Sequence, residues 1–288
     1  MALTSVVQPT KIGPRNATNL RTAIACNPLT LRPYTHFFGH TGPAKACPPF
    51  LTCMTTEVSD HLLALQSGRW FAQLPSDFSD ALIRMGRIRQ LAAGQALFLR
   101  GDAPCGLYAL LRGALSVSGT GGRADDARSA LLTRLEPPQW FGEISVFDGN
   151  MRSHDAVAAE PCTLLHVPHD ALQDWLRTHP EHWHALALLV TDKLRTAFIA
   201  LEDAALLPAP QRLARRLVMM AEGYGQWNAG GLTRRVIALS QEQLSQMLSI
   251  SRQTTNQILK DLEARQLVRV QRGEVEIMDL AGLRRIYA

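Results

Sequence analysis

The sequence predicts an α+β fold in three parts: a β-roll of jelly-roll type, one long helix, and a C-terminal winged helix-turn-helix. Three observations predict it. Short strand-like runs punctuated by Gly and Pro crowd residues 88–168. Apolar residues then recur at spacings of four and three from Val190 to Ala204, and two capped helices joined by a short link precede an alternating hairpin near the C-terminus.

A chain of 288 residues suits two domains, at roughly 150 residues each. Its 46% hydrophobic and 19% charged residues are those of a soluble globular protein and exclude a disordered chain, a collagen or a small disulfide scaffold. Five cysteines, an odd number with no CxxC pair, argue against a disulfide framework or zinc ribbon and fit a reducing, cytoplasmic setting. No membrane partner is expected, because Ala185 to Val190 falls far short of the roughly 18 to 20 apolar residues a bilayer requires. Charge is unevenly distributed. Residues 1–53 carry +5, residues 54–207 carry −5, and residues 208–288 carry +5 again. A basic C-terminal third behind an acidic middle points to a polyanion met by the end of the chain alone.

Residues 1–53 hold seven of the 16 prolines, no acid and no sustained period, so they read as unpacked. Three accounts stay open: a transit peptide, a basic arm on DNA, or a true start at Met54. Residues 54–180 then form one folded domain. Leu62 to Met85 has a short helical pattern broken at Pro75 and Asp77. Residues 94–99, 107–111, 114–117, 131–135 and 163–167 read as strands of a meander or barrel.

Within that β domain lies an irregular stretch, FGEISVFDGNMRS, residues 141–153. Gly142 admits a ligand close to the backbone, and the free N–H groups after it favour negative charge. Arg152 can hold two oxygens of a phosphate, Ser153 can donate to another, and Glu143 can accept from a sugar hydroxyl. The same residues are also accounted for by a Glu143–Arg152 ion pair that pins the insertion.

Residues 181–207 are a helix and hinge. Val190, Leu194, Ala197 and Leu201 form a seam of coiled-coil spacing, with Asp192, Lys193, Arg195 and Glu202 beside it, which predicts a parallel homodimer unless the seam is buried on its own barrel. Pro208 and Pro210 open the last domain, 208–288. Gln211 to Gly223 reads as a helix with Leu213, Leu217 and Met220 inward. Ser240 and Gln243 have capping-box spacing for a helix to Leu248, and Ser251 caps a second helix to Ala264 with Thr255, Ile258, Leu259 and Leu262 inward. Its outward Arg252, Gln253, Asn256 and Gln257 are of the types that read base edges, while Ser251 and Lys260 suit phosphates. Residues 267–277 alternate about Arg272-Gly273 as a wing. These features imply double-stranded DNA with a palindromic operator as the partner of a homodimer.

From about residue 88 to the C-terminus the chain resembles the Crp/Fnr family of transcription regulators. The resemblance rests on the 141–153 stretch and on LSQEQLSQMLSISRQTTNQILKDLE. It implies a cyclic-nucleotide-binding-like domain in which Gly142, Glu143, Arg152 and Ser153 hold cyclic phosphate and ribose, with cyclic AMP or cyclic GMP as candidate effector and RNA polymerase as a candidate further partner. The chain departs from the family pattern in places. His154 and Asp155 follow the cassette where small residues or Thr are usual, Ala197 and Phe198 stand where hydroxyls would reach adenine, Ser249 replaces a Gly, and Gln253 and Gln257 replace Glu and Arg. The expected function is ligand-controlled, sequence-specific DNA binding. A ligand-independent or redox-responsive, Fnr-like regulator with a vestigial cassette is the alternative. Cys47 and Cys53 with Cys105 only loosely imitate a cluster-binding set, and His179, His182 and His184 lack partners at metal spacing, so no metal is expected. No GxSxG, HExxH, GxxxxGK[ST] or Rossmann glycine pattern suggests an enzyme.

Overall fold

The computed structural model describes residues 61–121, 128–226 and 233–288; the N-terminal tail, and the start considered at Met54, lie outside them. Three short helices open the described chain where two pieces are predicted: α1 (Leu62–Gln66), α2 (Arg69–Ala72) and α3 (Ser76–Met85). Extended backbone at Gly68 separates the first two, and a Cβ there would lie 2.9 Å from the Pro138 carbonyl. Pro75 caps α3, and Asp77 in its first turn accepts from the Phe78 N–H at 2.9 Å.

The strands are β1 (Arg87–Leu91), β2 (Ala96–Phe98), β3 (Gly106–Arg112), β4 (Leu115–Gly121), β5 (Arg128–Leu135), β6 (Trp140–Phe141), then helix α4 (Glu143–Asp148), β7 (Asp155–Ala158) and β8 (Cys162–Pro168). They form two four-stranded antiparallel sheets, ordered β1-β8-β3-β6 and β2-β7-β4-β5. Strand β3 shows why the run 107–111 is continuously apolar. Leu107, Ala109 and Leu111 face a core shared with the helices, Tyr108 and Leu110 face the core between the sheets, and both faces are covered.

Helix α5 (His169–Thr178) and a 3-10 turn (Pro180–His182) lead into α6 (Trp183–Leu206), which starts two residues later than the sequence suggests. His182 is not an exposed helix-start residue. It is buried against the stacked Phe78 and Trp175 rings, and its Nε2 lies 3.0 Å from Asp77 Oδ2. No group of three metal-ligating side chains occurs among the described residues, and no helix there is long and apolar enough to cross a membrane.

The last part comprises α7 (Ala209–Ala221), β9 (Val236–Ile237), α8 (Gln241–Leu248), α9 (Arg252–Ala264), β10 (Val268–Gln271), β11 (Glu274–Ile277) and α10 (Leu280–Tyr287), with sheet order β10-β11-β9. Its core of Leu213, Leu217, Leu244, Ile258, Leu262, Val275 and Leu283 also takes in Leu131 from β5 of the roll. Arg234, just before β9, donates to the Pro137 carbonyl at 3.0 Å and forms an ion pair with Glu136. The Arg69 N–H donates to the Gln226 carbonyl at 2.8 Å, and Arg215 of α7 meets Asp203 of α6 at 2.8 Å across the Pro208 hinge.

Candidate anion-binding cassette and nucleic-acid interface

Strand β6 pairs with β3 through Tyr108 opposite Phe141, which delivers the next residue, Gly142, onto the start of β3. Gly142 has φ +96°, and a Cβ there would stand 2.7 Å from the Gly106 carbonyl and 3.1 Å from Arg152 Nη1. Only glycine fits both the left-handed backbone and this close approach. Glu143 opens α4 with a buried side chain, and its Oε2 takes Lys193 Nζ of α6 at 2.5 Å.

Arg152 is 4% exposed. Its Nη1 donates to the Gly142 carbonyl at 3.0 Å, and its Nη2 donates to the Gly106 carbonyl at 2.7 Å and to Cys105 Sγ at 3.0 Å. The guanidinium lies 4.4 Å from the Phe98 ring centroid, while its buried Nε has no hydrogen-bond partner. Among the described residues no carboxylate pairs with it, so the Glu143–Arg152 ion pair does not form. A buried guanidinium held by carbonyls and a sulfur, with no counter-charge, is a costly arrangement that an incoming anion relieves.

The neighbours are compatible with such an anion. Asp155 accepts from the Arg100 N–H at 2.7 Å, which engages one of its oxygens away from the guanidinium of Arg152. Ser153 is exposed, with its hydroxyl 2.9 Å from His154 Nδ1. Burial, and then the charge of Arg100, lower the His154 imidazole below its ordinary 6.5. Lys193 escaped the sequence reading, which set it beside the seam; the available signal was its place four residues before Ala197, on one helix face. Ala197 on that face and Phe198 next to it offer no hydrogen bond to a base, and the Thr196 hydroxyl donates to the Asp192 carbonyl at 3.1 Å.

Helix α6 buries Leu186 and Leu189 against the roll, but its later turns leave the apolar seam open. Val190 is half-buried, whereas Leu194, Ala197 and Leu201 are exposed, as is Phe198. The seam is therefore not buried on its own barrel.

In the C-terminal part, Ser240 and Gln243 form the reciprocal capping box, at 3.2 Å and 2.9 Å. The link to α9 passes through Ser249 at φ +52°, a left-handed position at which the family resemblance leads one to expect glycine. Ser251 caps α9, accepting from the Thr254 N–H at 2.9 Å, so its hydroxyl serves the helix before any phosphate. Thr255, Ile258, Leu259 and Leu262 are buried, and the opposite face presents Arg252, Gln253, Gln257 and Lys260 to solvent with Asn256 half-buried. Gln257 also donates to Asp261 at 3.0 Å. Between the α8 N-terminus and the wing runs a cleft of about 310 Å³ lined by Ser240, Gln241, Arg252 and Arg272. Arg272, read from sequence only as a turn residue, thus stands on the same face as Arg252.

Residues 88–179 match the cyclic nucleotide-binding domain, and residues 211–286 match the Crp-like helix-turn-helix domain. The chain is 31% identical to the CRP-like cAMP-activated global transcriptional regulator of Mycobacterium tuberculosis over 192 residues, covering 67% of this chain and 84% of that protein. It is 29% identical to the cyclic AMP receptor protein of Thermus thermophilus, again over 67% and 84% of the two chains. FixK2 from Bradyrhizobium japonicum shares the fold, with TM-score 0.60, 15% identity, and coverage of 70% and 98%. With both halves matched in this order and a relative of this identity aligned across them, the chain belongs to the Crp/Fnr family of transcription regulators.

Proposed function

We propose that the protein is a homodimeric regulator that binds palindromic double-stranded DNA through α9 and is controlled by a small anionic effector, a cyclic mononucleotide, in the β-roll. The observation that carries the effector half is Arg152: a buried guanidinium with no carboxylate, beside a glycine that admits nothing larger. A cyclic phosphate supplies one negative charge to Arg152 and acceptors for the Ser153 hydroxyl and the N–H groups after Gly142. Glu143 keeps acceptor capacity for a ribose hydroxyl beyond its one bond to Lys193. Base recognition through hydroxyls of α6 is absent at Ala197 and Phe198, so selectivity rests on phosphate and ribose.

The proposed dimer forms along Val190, Leu194, Ala197 and Leu201, whose exposure in the single chain supports a second copy as their cover. In the two recognition helices Arg252, Gln253, Asn256 and Gln257 read base edges, and Ser251 and Lys260 meet phosphates. Lys193 joins effector to dimer helix. An effector hydroxyl that binds Glu143 redistributes the Glu143–Lys193 contact one residue from the seam at Leu194, and so biases the spacing of the recognition helices between two populations.

The test is titration of the dimer with a palindromic operator selected from random duplexes, with and without cyclic AMP and cyclic GMP. Operator affinity should rise with one of them. Selective binding that ignores both would assign the cassette to another signal, and binding without selectivity would overturn the DNA reading.

A further inference from the structure

Cys105 lies immediately before β3, half-buried, at the floor of the cassette. Its Sγ receives two donors, Arg152 Nη2 at 3.0 Å and the Tyr108 hydroxyl at 3.1 Å. Its backbone is pinned, because the carbonyl accepts from the His169 N–H at 3.3 Å and stands 2.7 Å from His166 Nε2. The next residue, Gly106, has φ +126°, and a Cβ there would strike the Val167 carbonyl at 2.0 Å, so only glycine lets the chain pack this closely beside the sulfur. Arg152 is over nine-tenths buried with no carboxylate partner; its Nη2 is aimed at this sulfur, and its Nε is left without any partner. Cys162 is the contrast. It is buried, its one thiol hydrogen is shared between the Ala114 and Glu160 carbonyls at 3.2 Å and 3.1 Å, and the nearby Arg134 is paired with Glu136 and Glu160 and not with this sulfur.

We infer that Cys105 is a redox-modification site whose oxidised sulfur supplies to Arg152 the oxyanion otherwise supplied by the effector phosphate, so that a hydroperoxide and a cyclic nucleotide act on one guanidinium. The inference rests on Arg152 being the phosphate ligand. The sulfur attacks one peroxide oxygen; an S–O bond forms, the O–O bond breaks, sulfur loses two electrons, and the second peroxide oxygen leaves as water carrying the thiol proton. The product is a sulfenic acid. A second equivalent of hydrogen peroxide repeats the step to a sulfinic acid, which releases its proton to solvent and leaves an anion beside Arg152. The Tyr108 hydroxyl donates to the same group.

The experiment treats the full-length dimer with limiting hydrogen peroxide, traps sulfenic acid with dimedone, and assigns each cysteine by peptide mass spectrometry. Cys105 should take the label and Cys162 should not. Trapping at Cys105 should slow by about tenfold or more in Arg152→Gln, the factor for one lost hydrogen bond to a charged group. Oxidation should abolish the response of operator binding to whichever cyclic nucleotide the wild type obeys, and Cys105→Ser should keep that response and make it peroxide-resistant. An unlabelled Cys105, or a Cys105→Ser protein as peroxide-sensitive as wild type, overturns the inference. If neither nucleotide acts on the untreated dimer, the effector reading fails by itself; peroxide must then still change operator affinity in wild type and not in Cys105→Ser, or the inference falls too.

Discussion

Lys193 Nζ of the long helix lies 2.5 Å from Oε2 of Glu143 at the start of the cassette helix. The carboxylate is buried while the ammonium is about one-third exposed, so the pair joins the cassette to the helix at a point water only partly reaches. A buried carboxylate stripped of its cation is penalised more than an exposed one. Lys193→Met should therefore lower unfolding free energy by about 1 to 3 kcal/mol, with much of it restored when Glu143→Gln is added. Urea unfolding of the two singles and the double gives the coupling; additive losses would mean that the pair contributes nothing.

Gly142→Ala places a methyl group 2.7 Å from the Gly106 carbonyl, on backbone at φ +96°. The expected cost is about 1 to 3 kcal/mol, together with loss of any effector response. Gly149, also left-handed but with nothing within 4 Å, is the control: Gly149→Ala should carry only the backbone cost, about 1 kcal/mol, and keep the response.

His166 sets a pH dependence. Burial first, opposed by its contact with the Cys105 carbonyl and reinforced by Arg89, Arg152 and Arg87, lowers this imidazole below 6.5. The unfolded chain then binds a proton that the folded chain refuses, so stability is full above about pH 6.5 and falls as pH drops through that value towards the folded pKa. Burial lowers His154 in the same direction. Melting temperature should fall between about pH 7.5 and pH 5.5, and the fall should shrink in a His154→Gln, His166→Gln double variant. Calorimetry at the two pH values checks it, and an undiminished fall would exonerate both residues.

In the function proposed for α9, Arg252 takes a base edge and Lys260 a phosphate. Arg252→Ala should cost about 1 to 3 kcal/mol on the selected operator and little on random duplex, whereas Lys260→Ala should weaken both alike and flatten the salt dependence. Fluorescence anisotropy at two salt concentrations separates the patterns. Equal losses for both variants on both duplexes would remove the distinction.

Leu194→Glu with Leu201→Glu puts charge on two exposed seam positions and leaves the roll untouched. Sedimentation should show monomers, and affinity for the palindrome should drop by roughly a hundredfold or more as the two half-sites lose their linked readers. A double variant that still sediments as a dimer would move the interface elsewhere.

What was legible in the sequence is what local rules decide. The run 107–111 reads as a strand covered on both faces because each of its residues is apolar, and α8 and α9 read correctly because their caps sit within three residues of the groups they satisfy. Strands β1, β6, β7 and β9 have two to five residues, too few to set up a period, and are fixed by partners far along the chain. In the cassette, the same distance hid Lys193, which is 50 positions from Glu143, and Cys105, which is 47 from Arg152. The Glu143–Arg152 pairing failed for the same reason. Glu143 found Lys193 of α6, and Arg152 found Cys105 and Gly106 as well as the Gly142 carbonyl, and no spacing within 141–153 announces the distant competitors.

The place of Leu131 bears on how such a protein can be rebuilt. A residue of the sensor sheet completes the interior of the DNA-binding half, and Glu136 and Pro137 hold Arg234 beside it. The two halves are thus not interchangeable cassettes in the protein engineer's sense. A chimera cut at Pro208 that grafts another recognition module onto this roll must carry a matching socket for Leu131 and a basic residue for Glu136, or accept a hole in one core and an orphaned charge on the other side of the joint.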